Sequence, residues 1–183
     1  MRLSPANTIP SLTSTDFLGR PVDLHALRGR RVMLSFYRYA SCPVCNFRMH
    51  VLIQAYPRLS AAGLELVAVF QSSPESISQY VGRQDAPFAI VADPTMALYR
   101  RFGVETHWAS MLSLKVIGTA LRAFGKGFLP GRIEGPAFRT PADFLIEADG
   151  RIAVAHYGSH IDDHIALGEI EQWLQSPVLK AAA

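Results

Sequence analysis

The chain has 183 residues, which is enough for one domain of ordinary size and short for two. Apolar residues make up 49% and charged residues 18%, so the composition supports a buried core and excludes a disordered or collagen-like chain. The net charge of +3 is too small to indicate nucleic-acid binding, and two cysteines cannot hold together a disulfide-rich secreted scaffold. We predict a single domain over 1–183 that binds no nucleic acid.

The first half of the chain alternates between predicted strands and helices. Short apolar runs rich in β-branched and aromatic residues indicate buried strands, and helical spacing with Pro or Ser at the start indicates helices. In chain order, the predictions are a turn at 19–21, a strand over 31–37, a helix over 43–59, a strand over 64–70, a helix capped by Ser73, a strand over 88–91 and a helix over 95–102. Pro57 is expected to bend or end the first helix.

Two more strands are predicted near the end of the chain, over 142–147 and 151–156. Ala148-Asp149-Gly150 joins them as a hairpin signal, and a last helix is expected over about 162–175. Strands that alternate with helices and finish in a hairpin predict an α/β fold in which helices flank a central mixed sheet.

A long basic segment interrupts this alternation. Residues 107–138 form an unusually long connection, and residues 107–139 carry five basic side chains against the single acid Glu134. The segment therefore has a net charge of +4, and the rest of the chain sums to −1. Three interpretations stay open: a helical flap docked on the sheet, a homodimer contact, or a surface that binds an anionic membrane or partner.

No targeting or membrane-spanning segment is recognisable. The first ten residues lack the apolar stretch of a signal peptide, and the most apolar later stretch, 108–124, is interrupted by Lys115 and Arg122. We therefore expect a cytoplasmic protein with no transmembrane segment, in which both cysteines rest mostly as thiols.

The two cysteines form one motif, Cys42-Pro43-Val44-Cys45, between a predicted strand and a predicted helix. This position places the first sulfur at a helix N-terminus, where backbone N–H groups and the helix dipole favour a thiolate. The second sulfur lies one turn further, within reach of a disulfide. A redox-active dithiol is the preferred interpretation, and inert core cysteines are one alternative.

A zinc site is a further alternative for this cysteine pair, because structural zinc needs four ligands. Four histidines are candidates to complete such a site: His50, His156, His160 and His164. They show no second ligand pair at a suitable spacing, so we predict no metal.

Three segments resemble the thioredoxin superfamily, namely 29–45, 93–104 and 143–152. The resemblance is closest to the peroxiredoxin-like branch of alkyl hydroperoxide reductase and thiol-specific antioxidant proteins, and it spans about 12–174. It implies a thioredoxin-like fold with a long insertion at 107–138, before the penultimate strand. It also implies redox chemistry without a metal or organic cofactor, recycled by an external reductant of the thioredoxin or glutathione type.

The chain departs from the peroxiredoxin pattern Phe-Tyr-Pro-x-x-x-Thr-x-x-Cys. Phe36-Tyr37 match, but Arg38 replaces the Pro, Cys42 replaces the Thr, and Cys45 takes the position of the cysteine that attacks peroxide. The family also uses an Arg three residues before the late Phe, and Pro141 stands there in this chain. Arg38 and Arg139 are the candidates to supply the missing electrostatic support.

Thr140 and Pro141 are candidate substrate-positioning residues. Thioredoxin-like reductases carry a Pro at this place beside the dithiol, and a residue before Pro favours the extended geometry that pairs with a substrate backbone. The alternative is a proline that simply precedes a strand.

Because the peroxidase pattern is incomplete, the preferred prediction is thiol–disulfide oxidoreduction in antioxidant defence. In it, Cys42 attacks a substrate disulfide and Cys45 resolves the mixed disulfide. The first alternative is a thiol peroxidase acting on hydrogen peroxide or alkyl hydroperoxides, in which the roles of the two cysteines can be reversed. The second alternative is a non-enzymatic redox sensor whose basic flap binds a partner.

Overall fold

The computed structural model describes residues 2–106 and 114–177. Seven strands are present in this part of the chain: β1 (Thr13–Thr15), β2 (Pro21–Asp23), β3 (Arg31–Phe36), β4 (Leu64–Phe70), β5 (Ala89–Ala92), β6 (Ala142–Ile146) and β7 (Ile152–Tyr157). The helices are α1 (Pro43–Ala61), α2 (Pro74–Gln79), α3 (Ala97–Arg101), α4 (Leu114–Gly125) and α5 (Leu167–Gln175), with one 3₁₀ turn at Val81–Gln84.

Five strands form the central sheet in the order β5-β4-β3-β6-β7. β3, β4 and β5 run parallel, whereas β6 pairs antiparallel with both β3 and β7. β1 and β2 form a separate antiparallel hairpin around the predicted turn. The sheet is therefore mixed and flanked by helices, which confirms the predicted fold class.

The sheet separates two apolar layers. Successive residues of a strand point to opposite faces, so Met33 packs with α1 on one face and Leu34 packs towards α3 on the other. Because both faces are covered, every residue of β3 is buried. The carboxyl end of this central strand leads directly into the loop that carries the cysteines.

The first helix does not end at Pro57, and a bend there stays a prediction. Helix α1 continues past Pro57 to Ala61. Pro57 lies on the exposed side of α1, where water can bind the carbonyl group that loses its helical partner. The buried residues Leu52 and Leu59 hold the helix to the core on the other side.

The last helix begins at Leu167, five residues later than predicted. The side chain of Asp163 instead accepts hydrogen bonds from the backbone N–H and the hydroxyl of Ser159, at 2.7 and 2.8 Å. Such side-chain to backbone bonds stabilise turns in competition with a helix.

The described part of the basic insertion contains α4, which packs against α1. The predicted helical flap is therefore present, but it docks on a helix rather than on the sheet. Residues 107–113, the first part of the insertion, lie outside the described residues. Among the described helices, none is long and apolar enough to cross a membrane.

Candidate active site

The cysteine motif occupies the N-terminus of α1, as its position between a strand and a helix predicts. Cys42 is the N-cap residue with extended backbone angles, Pro43 opens the helix, and Cys45 lies in its first turn. The amide of Asn46 binds the carbonyl oxygens of Ala40 and Cys42 at 2.6 and 2.9 Å and so fixes this loop. Both cysteine residues are only 1% exposed.

The Arg38 guanidinium lies beside the first sulfur. Its Nη1 is 3.6 Å from Cys42 Sγ, its Nη2 donates to the carbonyl of Ala137, and its centre lies 4.9 Å from the Tyr39 ring centroid. Arg38 is 2% exposed. No described carboxylate pairs with it, so its charge faces the sulfur without a neutralising partner.

The two sulfurs differ in acidity. A hydrogen bond donated by the Cys45 thiol, the charge of Arg38 and backbone N–H groups of Val44 and Cys45 outweigh burial and lower the pKa of Cys42 to about 7. Burial raises the pKa of Cys45 well above its ordinary value, and its interaction with Cys42 acts in the same direction. Cys42 is thus favoured as the thiolate and Cys45 as the thiol.

Residues 129–138, hereafter the strap, bind to the loops around the dithiol through backbone carbonyls. Ser41 Oγ donates to the carbonyl of Arg132 at 2.6 Å. The amide of Gln71 donates to the carbonyls of Glu134 and Pro136 at 2.7 and 3.0 Å. Together with the bond from Arg38 to Ala137, these contacts hold the strap against the residues that carry the buried cysteines.

Two glycines allow the strap to approach this closely. A Cβ on Gly131 would lie 2.5 Å from the Tyr80 hydroxyl oxygen. Gly135 has φ +67 and lies next to the Gln71 amide, where a side chain would be strained. The path of the strap therefore favours glycine at 135, whereas a side chain at 131 would require the Tyr80 ring to move.

Arg139, the second candidate for electrostatic support, makes no hydrogen bond to either cysteine sulfur within the described residues. Its guanidinium binds Gln71 Oε1 at 2.8 Å and the Val104 carbonyl at 2.6 Å, and it lies 4.7 Å from the Tyr99 ring centroid. It therefore orients the amide that holds the strap. Arg38 is the guanidinium that contacts a sulfur, and direct support from Arg139 stays a prediction.

Thr140 and Pro141 are buried just before β6, the strand beside β3. The Pro141 carbonyl accepts a hydrogen bond from Gly158 N–H at 2.9 Å, and the Thr140–Pro141 peptide bond is trans. This is the position expected of a proline that precedes a strand. Its role in aligning a substrate stays a prediction.

The histidines named as alternative zinc ligands have other neighbours. His156, His160 and His164 face three separate carboxylates, and the His50 ring lies 5.9 Å from the Phe128 ring. Within the described ranges, no three His, Cys, Asp or Glu side chains come together to hold a metal ion. The absence of a metal or organic cofactor stays a prediction.

Three residues near the site were missed by the sequence reasoning: Ser41, Asn46 and Gln71. Asn46 stands one helical turn after Cys42, a spacing that brings its amide to the Cys42 carbonyl. Gln71 directly follows the apolar strand β4, and a polar residue at the carboxyl end of a parallel strand was the available signal.

A five-stranded mixed sheet with a cysteine pair at the N-terminus of the helix that follows its central strand defines a thioredoxin-like redox protein. Residues 5–155 match the model of the AhpC/TSA family, and the chain belongs to that family.

Similar proteins agree with this assignment. The chain is 27% identical over 165 residues to a provisionally named peroxiredoxin of Mycobacterium tuberculosis, covering 90% of this chain and 92% of that one. It is 25% identical over 150 residues to peroxiredoxin Bcp of Escherichia coli, covering 82% and 83%. The crystal structure of peroxidoxin BcpB from Mycobacterium tuberculosis superposes with a TM-score of 0.69 at 15% identity, covering 94% and 97%. The protein is therefore a peroxiredoxin-like oxidoreductase.

Proposed function

We propose that this protein is a thiol peroxidase that reduces hydrogen peroxide or alkyl hydroperoxides, with Cys42 as the attacking thiolate. The observation that carries the proposal is the Arg38 guanidinium 3.6 Å from Cys42 Sγ, at the sulfur whose pKa is lowered. The family relatives support the peroxidase alternative better than general disulfide exchange.

In the first step, the Cys42 thiolate attacks one oxygen of the peroxide. An S–O bond forms while the O–O bond breaks, and the departing hydroxide or alkoxide takes a proton to leave as water or alcohol. Cys42 becomes a sulfenic acid, and the peroxide is reduced by two electrons. Arg38 stabilises the thiolate before the step and the negative charge that develops on the oxygens during it. This is the task of the family Arg that Pro141 replaces.

In the second step, the Cys45 sulfur attacks the Cys42 sulfur. The Cys45 thiol gives up its proton, the sulfenic oxygen leaves with a proton as water, and a Cys42–Cys45 disulfide forms. Cys42 is the N-cap of α1 and Cys45 lies in its first turn, a spacing at which the two sulfurs can form a disulfide. An external dithiol of the thioredoxin type, or two glutathione-type thiols, then reduces the disulfide to restore the enzyme.

The burial of the dithiol favours a small substrate. Both cysteines are 1% exposed, so a protein disulfide must displace surrounding structure before its sulfur can reach Cys42. A peroxide group is much smaller and needs less opening. Disulfide exchange remains the second candidate, because the Cys-x-x-Cys spacing and a nearby Pro141 also suit that reaction.

The assignment of the two cysteines is tested by trapping the sulfenic acid. Reduced Cys45→Ser and Cys42→Ser proteins are mixed with hydrogen peroxide and dimedone, and the adducts are mapped by mass spectrometry. We expect Cys45→Ser to consume one equivalent of peroxide and carry the adduct on Cys42, whereas Cys42→Ser should react no faster than free cysteine.

Other outcomes have definite meanings. A fast reaction of Cys42→Ser with an adduct on Cys45 would transfer the attacking role to Cys45, as the family register expects. Slow reaction of the unaltered protein would contradict peroxidase function, and reduction of a small disulfide would then test the second candidate. Sustained peroxide consumption with a thioredoxin reducing system is expected of the enzyme, whereas a redox sensor would stop after one turnover. A cytoplasmic location stays a prediction from the sequence.

A further inference from the structure

Helix α4 carries an apolar stripe that the described fold does not cover. Ile117, Leu121 and Phe124 are 57%, 66% and 45% exposed, and their spacing places them along one side of the helix. Val116 and Ala123, on a different side, are 7% and 0% exposed. The helix therefore packs against the rest of the protein through one side and presents a second apolar side to solvent.

Basic residues follow the same helix beside this stripe. Arg122 lies in the last turn of α4, and Lys126 directly follows the helix, where its N–H bonds the Arg122 carbonyl at 3.2 Å, so the two exposed cations follow one another along the surface. Gly118 and Gly125 lie between the stripe and these cations, and the space above both glycines is open. The outer surface of α4 is thus a smooth strip with apolar side chains on one edge and cations on the other.

We propose that this surface of α4 docks onto an anionic lipid membrane surface. The apolar stripe would enter the boundary between headgroups and acyl chains, and Arg122 and Lys126 would contact the anionic headgroups. The charge of this surface favours this partner, because Arg122 and Lys126 are exposed and α4 contains no acidic residue. This inference does not depend on the peroxidase proposal.

A second copy of the chain fits the surface less well. A two-fold symmetric contact buries the same patch on both copies, and α4 contains no acidic residue, so two positively charged patches would face each other. Like charges at a contact oppose association. Anionic headgroups neutralise these charges, and packing of α4 on α1 means that docking needs no unfolding of the helix.

The test is co-sedimentation of the full chain with vesicles of phosphatidylcholine alone and of phosphatidylcholine with added phosphatidylglycerol. We expect binding to the anionic vesicles that weakens as salt is raised. Ile117→Ser with Leu121→Ser should lower the partition coefficient by about tenfold or more. Arg122→Gln and Lys126→Gln should each lower it by about fivefold.

Matched surface variants separate docking from general surface effects. Leu18 is 63% exposed in the turn between β1 and β2, and Arg28 is an exposed cation before β3. Leu18→Ser and Arg28→Gln should leave the partition coefficient unchanged, and circular dichroism should show every variant folded. Equal binding to both vesicle types, or none to either, would overturn the proposal. So would a protein dimer in sedimentation velocity that Leu121→Ser abolishes, because the stripe would then be an interface between copies.

Discussion

Two buried arginines lie at opposite ends of β3 and have opposite surroundings. Arg31 begins the strand and is 7% exposed, and its Nε donates to the Glu147 carboxylate at 3.0 Å. Its other nitrogens bind the backbone carbonyls at the end of α5, namely those of Trp173, Leu174, Ser176 and Pro177. The charge of Arg31 is fully compensated, and it fixes the last helix to the sheet.

Arg38, beyond the other end of β3, has no such compensation. It contacts one backbone carbonyl, the Tyr39 ring and hydroxyl, and the Cys42 sulfur, and its buried Nε makes no hydrogen bond within the described residues. A buried cation without a carboxylate is costly unless a nearby group becomes negative. Ionisation of Cys42 supplies that charge. The comparison teaches that a paired buried arginine stabilises a fold, whereas an unpaired one tunes a reactive group.

The largest expected effect is on activity, from Arg38→Gln. Removal of the guanidinium should slow the reaction with hydrogen peroxide by about a hundredfold or more, because thiolate and transition-state stabilisation are lost together. Stopped-flow measurement of thiol loss checks this. Arg132→Gln is the matched control, since it removes an exposed strap cation and keeps the carbonyl that binds Ser41. If the rate for Arg38→Gln stayed within twofold of that of the unaltered protein, Arg38 would not be the group that activates Cys42.

Arg31→Gln should lower the stability of the protein and leave its activity unchanged, the reverse of Arg38→Gln. Breaking its buried pair with Glu147 should lower the free energy of unfolding by about 3 kcal/mol, because one buried charge loses its partner. Urea unfolding measures this loss, and Glu147→Gln should give a similar one. The rate of the folded protein with peroxide should stay unchanged; a slow but fully stable Arg31→Gln would contradict this assignment.

Asp143 provides a second structural charge near the centre of the sheet. It accepts hydrogen bonds from Ser35 Oγ and from the Ile165 N–H, and lies 3.1 Å from His164 Nδ1. Burial alone would raise the pKa of its carboxyl. Favourable interactions outweigh burial and lower this pKa to about 2, and those with His164 are the largest. Asp143→Asn should therefore cost about 2 kcal/mol at neutral pH.

The pH dependence of this loss has a definite sign. A depressed carboxyl pKa stabilises the folded state above the unfolded value of about 4, and this contribution fades as the pH falls towards 2. The difference in unfolding free energy between the unaltered protein and Asp143→Asn should accordingly shrink through that range. A constant difference would show that the Asn variant loses packing rather than charge.

The smallest effect is expected for the strap. Ser41→Ala removes the hydrogen bond to the Arg132 carbonyl, which is worth about 1 kcal/mol, so alkylation of Cys42 should become about fivefold faster. Mass spectrometry after timed iodoacetamide treatment measures the rate. Ser14→Ala, at a partly exposed serine of β1, should leave it unchanged. Equal rates in all three proteins would mean that the strap does not limit access.

Much of this arrangement could be predicted from local sequence, and the rest depends on distant contacts. Apolar runs located β3 and β4, and the Cys42 and Cys45 spacing located the site, because both signals lie within a few residues. The strap could not be predicted, since Arg38 meets Ala137 across 99 positions through a backbone carbonyl that every residue possesses. The position of Pro57 on the exposed side of α1 likewise depends on tertiary packing.

The functional prediction changed for a related reason. The sequence alone favours disulfide exchange because the chain lacks the family Arg, whose position Pro141 takes. A guanidinium from a different place in the sequence, that of Arg38, lies beside Cys42 in the fold. Motifs record positions along the chain, whereas the chemistry needs only a charge at the right place in space.

The most direct test is the pH dependence of the reaction between the fully reduced protein and hydrogen peroxide, compared with free cysteine. We predict a rate far above that of free cysteine which rises with pH through about 7, because the thiolate of Cys42 forms there. In Arg38→Gln the rise should move to higher pH. A rate equal to that of free cysteine throughout, or a rise that Arg38→Gln leaves in place, would contradict the account.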